Sequence, residues 1–405
     1  MKKNVAVVGM GVGAGTLTLE ALEVIRNAEI LIGARRQLDA ASGLYDASQK
    51  RVYPYYLADE TACAIAAENA ERYAVLVSGD VGFYSAAAAF GEALRMYELR
   101  FIPGVSSVNA FFAKLKIPWQ DAAFASAHGR GADAAGCVRR NRLTFFLTGN
   151  NVKEIGAELK RARLGYVRVY VGENLGTEFE RIYETSAENL VGAEFPSLTV
   201  LLFINEGFDD RTPTGLPDGK FSRLDGVPMT KSETRAVVMS KLDLTPSDIC
   251  WDIGAGTGSV SVEMALSAYR GRVYAIERRG DAVPLIEKNF ASFHIGNAAA
   301  VCGAAPAALD ALPAPDAAFI GGSGGEIAEI IRSVWNKNPD ARIVITAVTP
   351  ETVSLALGAF KDSGADPEIV QINAARGRSA GGLHLMEAQN PVTILSAGGK
   401  ARPLR

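Results

Sequence analysis

Short apolar runs that end in glycine or small polar residues recur along the chain, and segments with apolar residues at helical spacing follow several of them. Such a run predicts a buried strand of a parallel sheet, and the following segment predicts a helix packed on that sheet. The pattern predicts strands at 5–8, 29–32, 74–77, 101–102, 123–125, 143–147, 168–171, 198–203, 249–253, 272–276, 299–302, 317–320, 342–347, 368–372 and 391–395. It predicts helices at 18–25, 152–163, 259–266, 282–290 and 351–361. The predicted fold class is therefore α/β.

This pattern divides the chain into two α/β halves. Residues 207–221 are dense in glycine, proline and aspartate, which is typical of a linker. We expect a two-lobed first half at 1–206, with lobes at about 1–116 and 117–206, and a Rossmann-like second half at 222–405. The last two predicted strands follow the parallel set, and we expect them to be antiparallel.

The composition fits an enzyme of two or three domains that acts on small molecules. A chain of 405 residues exceeds one ordinary core, and 48% of its residues are apolar. The net charge of −3 argues against a nucleic-acid-binding protein, because neutralising phosphates demands a basic excess. No window is long and apolar enough to span a membrane. The four cysteines and three histidines are scattered, which indicates reduced thiols in a cytoplasmic protein and no metal site.

The second half is organised around the run at 249–258. A strand there leads directly into three glycines at alternate positions, a helix follows, and the next strand ends in Glu277 about twenty residues later. An acid at that position can hold a ribose diol. The spacing lacks the third glycine that makes room for a pyrophosphate, which favours S-adenosylmethionine over NAD. Asp252 could then supply a carboxylate near the ammonium group of that ligand.

A second glycine-rich loop, at 9–15, follows the first strand and leaves alternatives open. Gly9, Gly11 and Ala14 fit a dinucleotide-binding pattern. The second strand ends without an acid, but Arg35 could bind the 2′-phosphate of NADP. An NADP-dependent oxidoreductase is therefore one alternative function, and a non-catalytic ligand-sensing protein is another.

Two more loops of the first half, at 78–85 and 103–108, also follow buried strands and precede helices. Because the carboxyl ends of parallel strands meet at one edge of a sheet, we expect these loops and the one at 9–15 to converge on a single crevice. His128 beside Arg130 is a candidate pair that could face a substrate.

A further helix is expected ahead of the strand at 249–253. Thr230 can cap this helix, which carries Glu233 and Arg235. The helix could lie over the cofactor as a lid, and a plain capped helix is the alternative interpretation.

Motifs in both halves resemble known methyltransferase families and together cover nearly the whole chain. In the first half, the loop at 9–15, Ser-Gly-Asp-Val-Gly-Phe-Tyr-Ser, Pro-Gly-Val-Ser-Ser and Ser-Ala-His-Gly-Arg resemble the tetrapyrrole methylase family. In the second half, Pro-Met-Thr-Lys, Asp-Ile-Gly-Ala-Gly-Thr-Gly, Gly-Ala-Ala-Pro and Phe-Ile-Gly-Gly-Ser-Gly-Gly resemble the decarboxylating precorrin methyltransferases that act at carbon 15. Their fusion in this order resembles the precorrin-6Y C-5,15-methyltransferase (decarboxylating) family of cobalamin biosynthesis.

The resemblance implies a bifunctional enzyme that methylates precorrin-6B, or its cobalt form, at carbons 5 and 15. It also implies decarboxylation of the ring C acetate to give precorrin-8, one S-adenosylmethionine per domain, and a homo-oligomer built largely through the second domain. Val81 stands where the family usually has proline, a change of little expected consequence because proline only pre-sets a turn. The implied cofactor contacts are Val12, Asp80, Phe83, Ser106, Ser107 and Leu147 in the first domain, and Thr230, Gly254, Ala255, Gly256, Thr257, Gly258, Glu277 and Ala304 in the second.

Methyl transfer from a sulfonium is an in-line displacement, so positioning and exclusion of water should supply most of the rate. No nucleophilic side chain is required. A substrate with many carboxylates calls for arginines, which bind them in bidentate fashion, and we expect Arg376 and Arg378 to grip them. The candidate substrate-holding and catalytic residues are Lys231, Arg235, Arg376, Arg378 and His384, the last as a proton donor.

Overall fold

The computed structural model describes residues 3–55, 57–127 and 133–399. Within it, two compact units are distinguished. The first comprises Met1–Ala132, Asn141–Glu154 and Val167–Glu206, and the second comprises Asp133–Arg140, Ile155–Tyr166 and Gly207–Arg405. Two segments that precede the expected linker thus group with the second unit, and the expected domain boundaries stay a prediction.

The first unit contains a five-stranded parallel sheet with the strand order β3-β2-β4-β1-β5. Its strands are β1 (Asn4–Gly9), β2 (Ile30–Gly33), β3 (Arg51–Tyr53), β4 (Arg72–Val77) and β5 (Glu98–Ile102). The helices that accompany them are α1 (Leu19–Asn27), α2 (Arg35–Ala41), α3 (Ala58–Ala67), α4 (Ala87–Ala93) and α5 (Ser107–Leu115). Because every pairing is parallel, the loops after β1, β4 and β5 leave the same edge of the sheet.

A second five-stranded sheet of the first unit has the order β6-β7-β10-β8-β9. Its strands are β6 (Ala122–Ser126), β7 (Leu143–Leu147), β8 (Arg168–Glu173), β9 (Arg181–Ser186) and β10 (Thr199–Ile204). Only the β6–β7 pairing is parallel. The same stretch of chain contains helices α6 (Ala134–Arg140) and α7 (Val152–Arg161).

The second unit is built on a seven-stranded sheet with the order β13-β12-β11-β14-β15-β19-β16. Its strands are β11 (Ile249–Ile253), β12 (Arg272–Glu277), β13 (Ala298–Cys302), β14 (Ala317–Ile320), β15 (Arg342–Ala347), β16 (Glu368–Ile372) and β19 (Val392–Ala397). The helices are α8 (Ser232–Leu242), α9 (Ser259–Ser267), α10 (Val283–Ser292), α11 (Ile327–Lys337) and α12 (Pro350–Asp362). Strands β11 to β15 pair only in parallel with one another, and β19 is antiparallel to both of its neighbours. The two late strands β16 and β19 thus pair antiparallel as expected, but only β19 runs against the direction of the other strands.

The central strand β11 separates two apolar layers of the second unit. Successive side chains of a strand point to opposite faces, so Cys250 packs into one buried cluster and Trp251 into the other. Both side chains are fully buried. The loop after β11 is therefore held by a strand that is covered on both faces, as the sequence pattern predicted.

A separate two-stranded hairpin, β17 (Ala375–Ala380) paired with β18 (Leu383–Ala388), was not predicted. Its sequence is rich in glycine and charged residues, and every residue of β18 is exposed, so it lacks the apolar alternation that predicts a strand. The short strand β3 and strand β9, which contain no fully buried residue, were also missed. In the part of the chain that the structure describes, no helix has the length and apolarity needed to cross a bilayer.

Candidate functional site

The glycine loop after β11 has a backbone that only glycine adopts without strain. Gly254, Gly256 and Gly258 have φ angles of +74°, +55° and +72°. A Cβ on Gly254 would lie 2.6 Å from the carbonyl oxygen of Gly322, and one on Gly256 would lie 2.5 Å from that of Pro228. The three glycines thus allow two other loops to pack directly on this main chain, and Gly258 leads straight into α9.

Glu277, at the end of β12, lies beside this loop as predicted from the sequence. Its Oε2 accepts a hydrogen bond from the amide of Gly256 at 2.8 Å, and its Oε1 accepts one from the amide of Arg279 at 2.9 Å. The carboxylate is largely buried and fixed by these main-chain donors. Ala304 follows the neighbouring strand β13, and the amide of Gly303 donates to the main-chain carbonyl of Glu277 at 2.9 Å. Glu277 and Ala304 are therefore brought to one side of the loop.

The structure corrects the expected role of Asp252. Its side chain is fully buried in β11, where Ser261 Oγ of α9 donates to Oδ2, and neither carboxylate oxygen reaches the surface. Burial, reinforced by the nearby Glu277, raises the pKa of Asp252 to about 7. Asp252 therefore links β11 to α9 inside the core. Its buried position does not support the expected direct contact with a ligand ammonium group. Thr257 is likewise fully buried, with its carbonyl oxygen accepting from Asn289 at 2.8 Å.

Two expectations about the start of α8 were wrong. Lys231, not Thr230, occupies the N-cap position, and no side chain caps the helix. Arg235 is 0% exposed, and its Nε donates to Glu263 at 2.8 Å while its Nη1 donates to Asp218 at 3.1 Å. Further donors of the same guanidinium bond the carbonyl oxygens of Thr230 and Leu216. Arg235 is therefore a buried structural residue and does not hold substrate.

The three remaining candidates lie on the hairpin. Arg376 bonds Glu233 at 3.0 Å and lies 2.9 Å from Asp218, and this guanidinium holds the pKa of Glu233 at about 2. Arg378 is paired with Glu387 on the facing strand. Acidic residues of this chain thus already bind both guanidinium groups, and the expected grip on substrate carboxylates stays a prediction. His384 is exposed on β18.

In the first unit, the loops after β1, β4 and β5 are in close contact with one another. Gly11 and Gly79 exchange two main-chain hydrogen bonds of 3.0 Å. A Cβ on Gly104 would lie 2.3 Å from the carbonyl oxygen of Gly79 and 2.7 Å from that of Gly9. Asp80 joins two of the loops, since its Oδ2 accepts from the amide of Gly104 at 3.1 Å. The three loops converge as predicted.

The other expected contacts of the first unit surround an aromatic cluster. Val12, Phe83 and Leu147 all pack on one buried core, in which Phe83 meets Phe124 edge to face at 5.6 Å between ring centroids. Ser106 is the N-cap of α5, with its Oγ accepting from the amide of Asn109 at 3.2 Å, and Ser107 is the first helical residue. His128 and Arg130 lie outside the described residues.

The loop at 9–15 does not have the geometry of a dinucleotide site. A Cβ on Gly11 would lie 2.2 Å from Thr16 Oγ1, and one on Gly13 would lie 2.2 Å from the carbonyl oxygen of Gly176. A 3₁₀ turn, Ala14–Thr16, separates the loop from α1, which has its own cap at Thr18. The glycines are therefore used for packing within the protein, which counts against the NADP alternative and its partner Arg35.

Three charged residues near the site were not singled out from the sequence. Asp218 lies in the expected linker, and Glu263 lies inside α9 among fully buried neighbours. The signal for Glu263 was available, because a lone acid in an otherwise apolar helix requires a buried cation. Arg278 directly follows Glu277 and packs on the loop after β14, with its Nη1 3.1 Å from the Cβ position of Gly324. Nothing in its sequence spacing distinguished it from a surface arginine.

Two family descriptions match the chain. The precorrin methyltransferase domain matches residues 221–398, and the tetrapyrrole (corrin/porphyrin) methylases match residues 4–191. A solved structure of precorrin-6y C5,15-methyltransferase from Geobacter metallireducens GS-15 is 38% identical, covers 46% of this chain and 97% of its own, and has a TM-score of 0.44.

Curated relatives match one half or the whole chain. A precorrin-6Y C(5,15)-methyltransferase (decarboxylating) from Sinorhizobium sp is 29% identical over 399 residues, which are 96% of this chain and 94% of the relative. A probable cobalt-precorrin-6B C(15)-methyltransferase (decarboxylating) from Pyrobaculum calidifontis is 42% identical over 185 residues, which are 45% of this chain and 95% of the relative. With this identity over nearly the whole of the second relative, and with both domain matches in place, the chain belongs to the precorrin methyltransferase family and carries a tetrapyrrole methylase domain in its first half.

Proposed function

We propose that the protein is a bifunctional, S-adenosylmethionine-dependent C-methyltransferase of cobalamin biosynthesis. It methylates precorrin-6B, or its cobalt form, at carbons 5 and 15 and decarboxylates the ring C acetate to give precorrin-8. The observation that carries this proposal is the alignment with the Sinorhizobium enzyme, which spans 96% of the chain and whose name includes both carbons and the decarboxylation.

The family matches suggest how the two halves divide the reaction. We assign carbon 15 and the decarboxylation to the second half, where the precorrin methyltransferase domain matches. We assign carbon 5 to the first half, where the tetrapyrrole methylases match. Each half then needs its own molecule of S-adenosylmethionine.

The second unit fits this cofactor. Its glycine loop turns sharply out of β11 at positive φ angles and leads straight into α9, and Glu277 is held beside Gly256 by the amide-to-carboxylate bond of 2.8 Å. We propose that Gly254, Ala255, Gly256 and Gly258 lie against the cofactor, that Glu277 accepts from its ribose hydroxyls, and that Thr230 and Ala304 complete the contacts.

The first unit fits the same cofactor by other means. Its glycine loop is filled by the chain itself, so the contacts come from Asp80, from the apolar side chains of Val12, Phe83 and Leu147, and from the hydroxyls at the start of α5. This combination of one carboxylate, apolar walls and hydroxyls suits a ligand with an ammonium group, an adenine ring and ribose.

The chemistry needs placement more than a reactive side chain. S-adenosylmethionine supplies the methyl group as a sulfonium, and the conjugated tetrapyrrole supplies the electron-rich carbon. The protein then has to align the two in line and exclude water. The imine produced by methylation can accept the electrons released when the ring C acetate loses carbon dioxide.

We propose a homo-oligomer built largely through the second domain, which rests on the resemblance. We also propose a cytoplasmic location, which rests on the cysteine pattern. The substrate is a small-molecule tetrapyrrole, and no nucleic-acid or membrane partner is proposed.

The decisive experiment is mass spectrometry of precorrin-6B, with and without cobalt, after incubation with the full chain and methyl-labelled S-adenosylmethionine. We expect two labelled methyl groups and the loss of one carboxyl group.

The assignment of one methylation to each half is tested with two variants of the full chain. Gly256→Val places a side chain 2.5 Å from the Pro228 carbonyl at a positive φ, and should abolish the carbon-15 methylation and the decarboxylation.

The matched variant in the first unit is Asp80→Ala, which removes acceptors for the amides of Gly104 and Gly82 and should reduce methylation at carbon 5 only. Absence of label from the tetrapyrrole under all conditions would refute the proposed function. Loss of the same methyl group in both variants would refute the division between the halves.

A further inference from the structure

All three arginines expected to hold substrate carboxylates in the second unit already form ion pairs with acidic residues of the chain. Arg235 is buried between Glu263 and Asp218, Arg376 is bonded by Glu233, and Arg378 is bonded by Glu387. A polycarboxylate substrate would have to displace these acids to reach the guanidinium groups. Cations without an acidic partner are better candidates.

Two such cations flank the glycine loop. Within residues 3–55, 57–127 and 133–399, the side chains of Arg278 and Lys231 have no ion pair and no hydrogen bond. Arg278 is exposed, whereas the next residue, Arg279, is bonded by Asp281 at 2.7 Å and by the carbonyl oxygen of Gly226. Two adjacent arginines thus have opposite surroundings, and only Arg278 presents a free guanidinium.

The guanidinium of Arg278 is placed by packing. A Cβ added to Gly324 would lie 3.1 Å from Nη1 of Arg278. Gly324 has a φ of +63° and belongs to the exposed loop after β14. That loop contacts the glycine loop directly, because the carbonyl oxygen of Gly322 lies 2.6 Å from the Cβ position of Gly254. Arg278 is therefore directed over the loop after β14, which adjoins the proposed cofactor loop.

Lys231 approaches the same region on another segment. The carbonyl oxygen of Pro228 lies 2.5 Å from the Cβ position of Gly256, so the stretch that leads to Lys231 packs on the glycine loop. Lys231 is the N-cap of α8 and is only partly exposed. Two segments that contact different glycines of one loop each carry one unpaired positive charge.

We propose that Arg278, assisted by Lys231, binds carboxylate groups of the tetrapyrrole substrate at the second unit. This inference rests on the proposed function, because it needs a substrate that carries several carboxylates. The guanidinium of Arg278 provides the planar, bidentate geometry that a carboxylate requires, and Lys231 provides a second charge. Gly324 keeps the space beside the guanidinium free, because a side chain at that position would meet its Nη1 at 3.1 Å.

The test measures binding separately from turnover. The full chain is loaded with S-adenosylhomocysteine, and cobalt-precorrin-6B is titrated by absorbance against wild type, Arg278→Ala, Arg278→Lys and Lys231→Gln. Arg278→Ala should raise the tetrapyrrole Kd about tenfold, as expected for one charge-assisted hydrogen-bonded contact. Arg278→Lys, which keeps the charge but loses the fork geometry, should raise it less, and Lys231→Gln should have a smaller effect of the same sign.

The control variant is Arg332→Gln, an exposed arginine of α11 that is already paired with Glu329, and it should leave the tetrapyrrole Kd unchanged. Calorimetry of S-adenosylmethionine should give the same Kd for wild type and Arg278→Ala. Weakened cofactor binding with unchanged tetrapyrrole binding would overturn the proposal and make Arg278 a cofactor contact. Equal tetrapyrrole Kd values for wild type and Arg278→Ala would also overturn it. If wild type neither binds nor methylates the tetrapyrrole, the proposed function itself fails.

Discussion

Arg235 and Glu263 form an ion pair that is fully buried in the second unit, with Nε of Arg235 2.8 Å from Oε1 of Glu263. The same carboxylate accepts the amides of Gly215 and Leu216 at 2.8 and 2.9 Å, and the guanidinium also bonds the carbonyl oxygen of Thr230. The pair therefore joins the chain ahead of α8 to helix α9, which begins at the proposed cofactor loop.

We predict that Glu263→Gln strongly destabilises the protein. The substitution removes one partner of a buried pair and leaves the positive charge of Arg235 with less compensation, which costs roughly 3–5 kcal/mol. Thermal unfolding of the full chain, followed by circular dichroism, should show a clear fall in apparent Tm for the second unit.

Glu329→Gln is the matched control for this variant, because Glu329 is bonded by Arg332 at 2.6 Å on the exposed face of α11. An exposed pair contributes at most about 1 kcal/mol, so its Tm should change little. Equal Tm shifts in the two variants would show that burial does not set the contribution of the Arg235–Glu263 pair.

Asp252 makes the stability of the second unit depend on pH. Burial raises the pKa of this carboxyl from 3.8 to about 7 in the folded protein. Between roughly pH 4 and pH 7, the Asp252 carboxyl is therefore protonated in the folded protein but ionised in the unfolded chain. The stabilisation from the protonated form is complete below the unfolded pKa and is lost as the pH rises through about 7.

We predict that Asp252→Asn, which cannot ionise, gains stability relative to wild type as the pH rises from 5 to 8. The measurement is the difference in Tm between the two proteins at each pH, in which the titration of other groups cancels. Ser261→Ala is the control, because it removes the hydroxyl that bonds Asp252 but leaves the titrating carboxyl in place. A Tm difference that does not vary with pH would contradict the raised pKa.

The fold was largely predictable because its central strands are buried on both faces. Every predicted strand corresponds to an observed one, and five of them, β7, β11, β14, β15 and β16, have the predicted bounds. Periodicity failed in β9 and in the hairpin of β17 and β18, where every residue is either exposed or only half-buried. A strand that buries no face leaves no alternation in the sequence.

The candidate site was predictable for the glycine loop and Glu277 but not for the charged side chains. Glycine spacing reports a local backbone requirement, so it can be recognised without tertiary contacts. The partner of an arginine depends on residues that are distant in sequence. Arg235 pairs with Glu263 28 positions away, and Arg376 with Glu233 143 positions away. No spacing rule distinguishes these occupied arginines from the free Arg278.

Asp133 and Glu158 form a pair of buried carboxyl groups that also makes the stability of the second unit depend on pH. The two carboxyls share a hydrogen bond, and burial raises the pKa of Asp133 and raises that of Glu158 to about 7. Oδ1 of Asp133 and Oε1 of Glu158 lie 2.4 and 2.7 Å from the Cβ position of Gly296. Nearby cations oppose the effect of burial: Arg139 and Arg272 lower the pKa of Asp133, and Arg161 lowers that of Glu158.

We predict that Glu158→Gln loses less stability than wild type when the pH is raised from 6 to 8. The stabilisation from protonated Glu158 is complete below its ordinary pKa of 4.5 and is lost as the pH passes about 7, whereas glutamine keeps a donor throughout. Tm measured across this range tests the prediction. The control is Glu154→Gln on the same helix, and its Tm should change with pH as that of wild type does. If the Tm of Glu158→Gln also changed with pH as that of wild type does, the prediction would be refuted.

Arg376 is the anchor of the hairpin on α8. Its Nε donates to Glu233 at 3.0 Å, its Nη2 donates to Ser232 at 3.1 Å, and Nη2 lies 2.9 Å from Asp218. The strands β17 and β18 pair with each other and with no other strand among the described residues. Because an isolated two-stranded hairpin is marginally stable, we expect these contacts to limit its opening.

We predict that Arg376→Gln increases amide hydrogen exchange in residues 375–388 about fivefold, which corresponds to roughly 1 kcal/mol for a partly exposed bidentate pair. Arg378→Gln is the matched control, because its acidic partner Glu387 lies within the hairpin and its loss removes no contact to α8. Exchange in β11, at the centre of the sheet, should be unchanged in both variants. If the two variants accelerated exchange equally, the hairpin would depend on its own cross-strand pairs, and Arg376 would not act as its anchor.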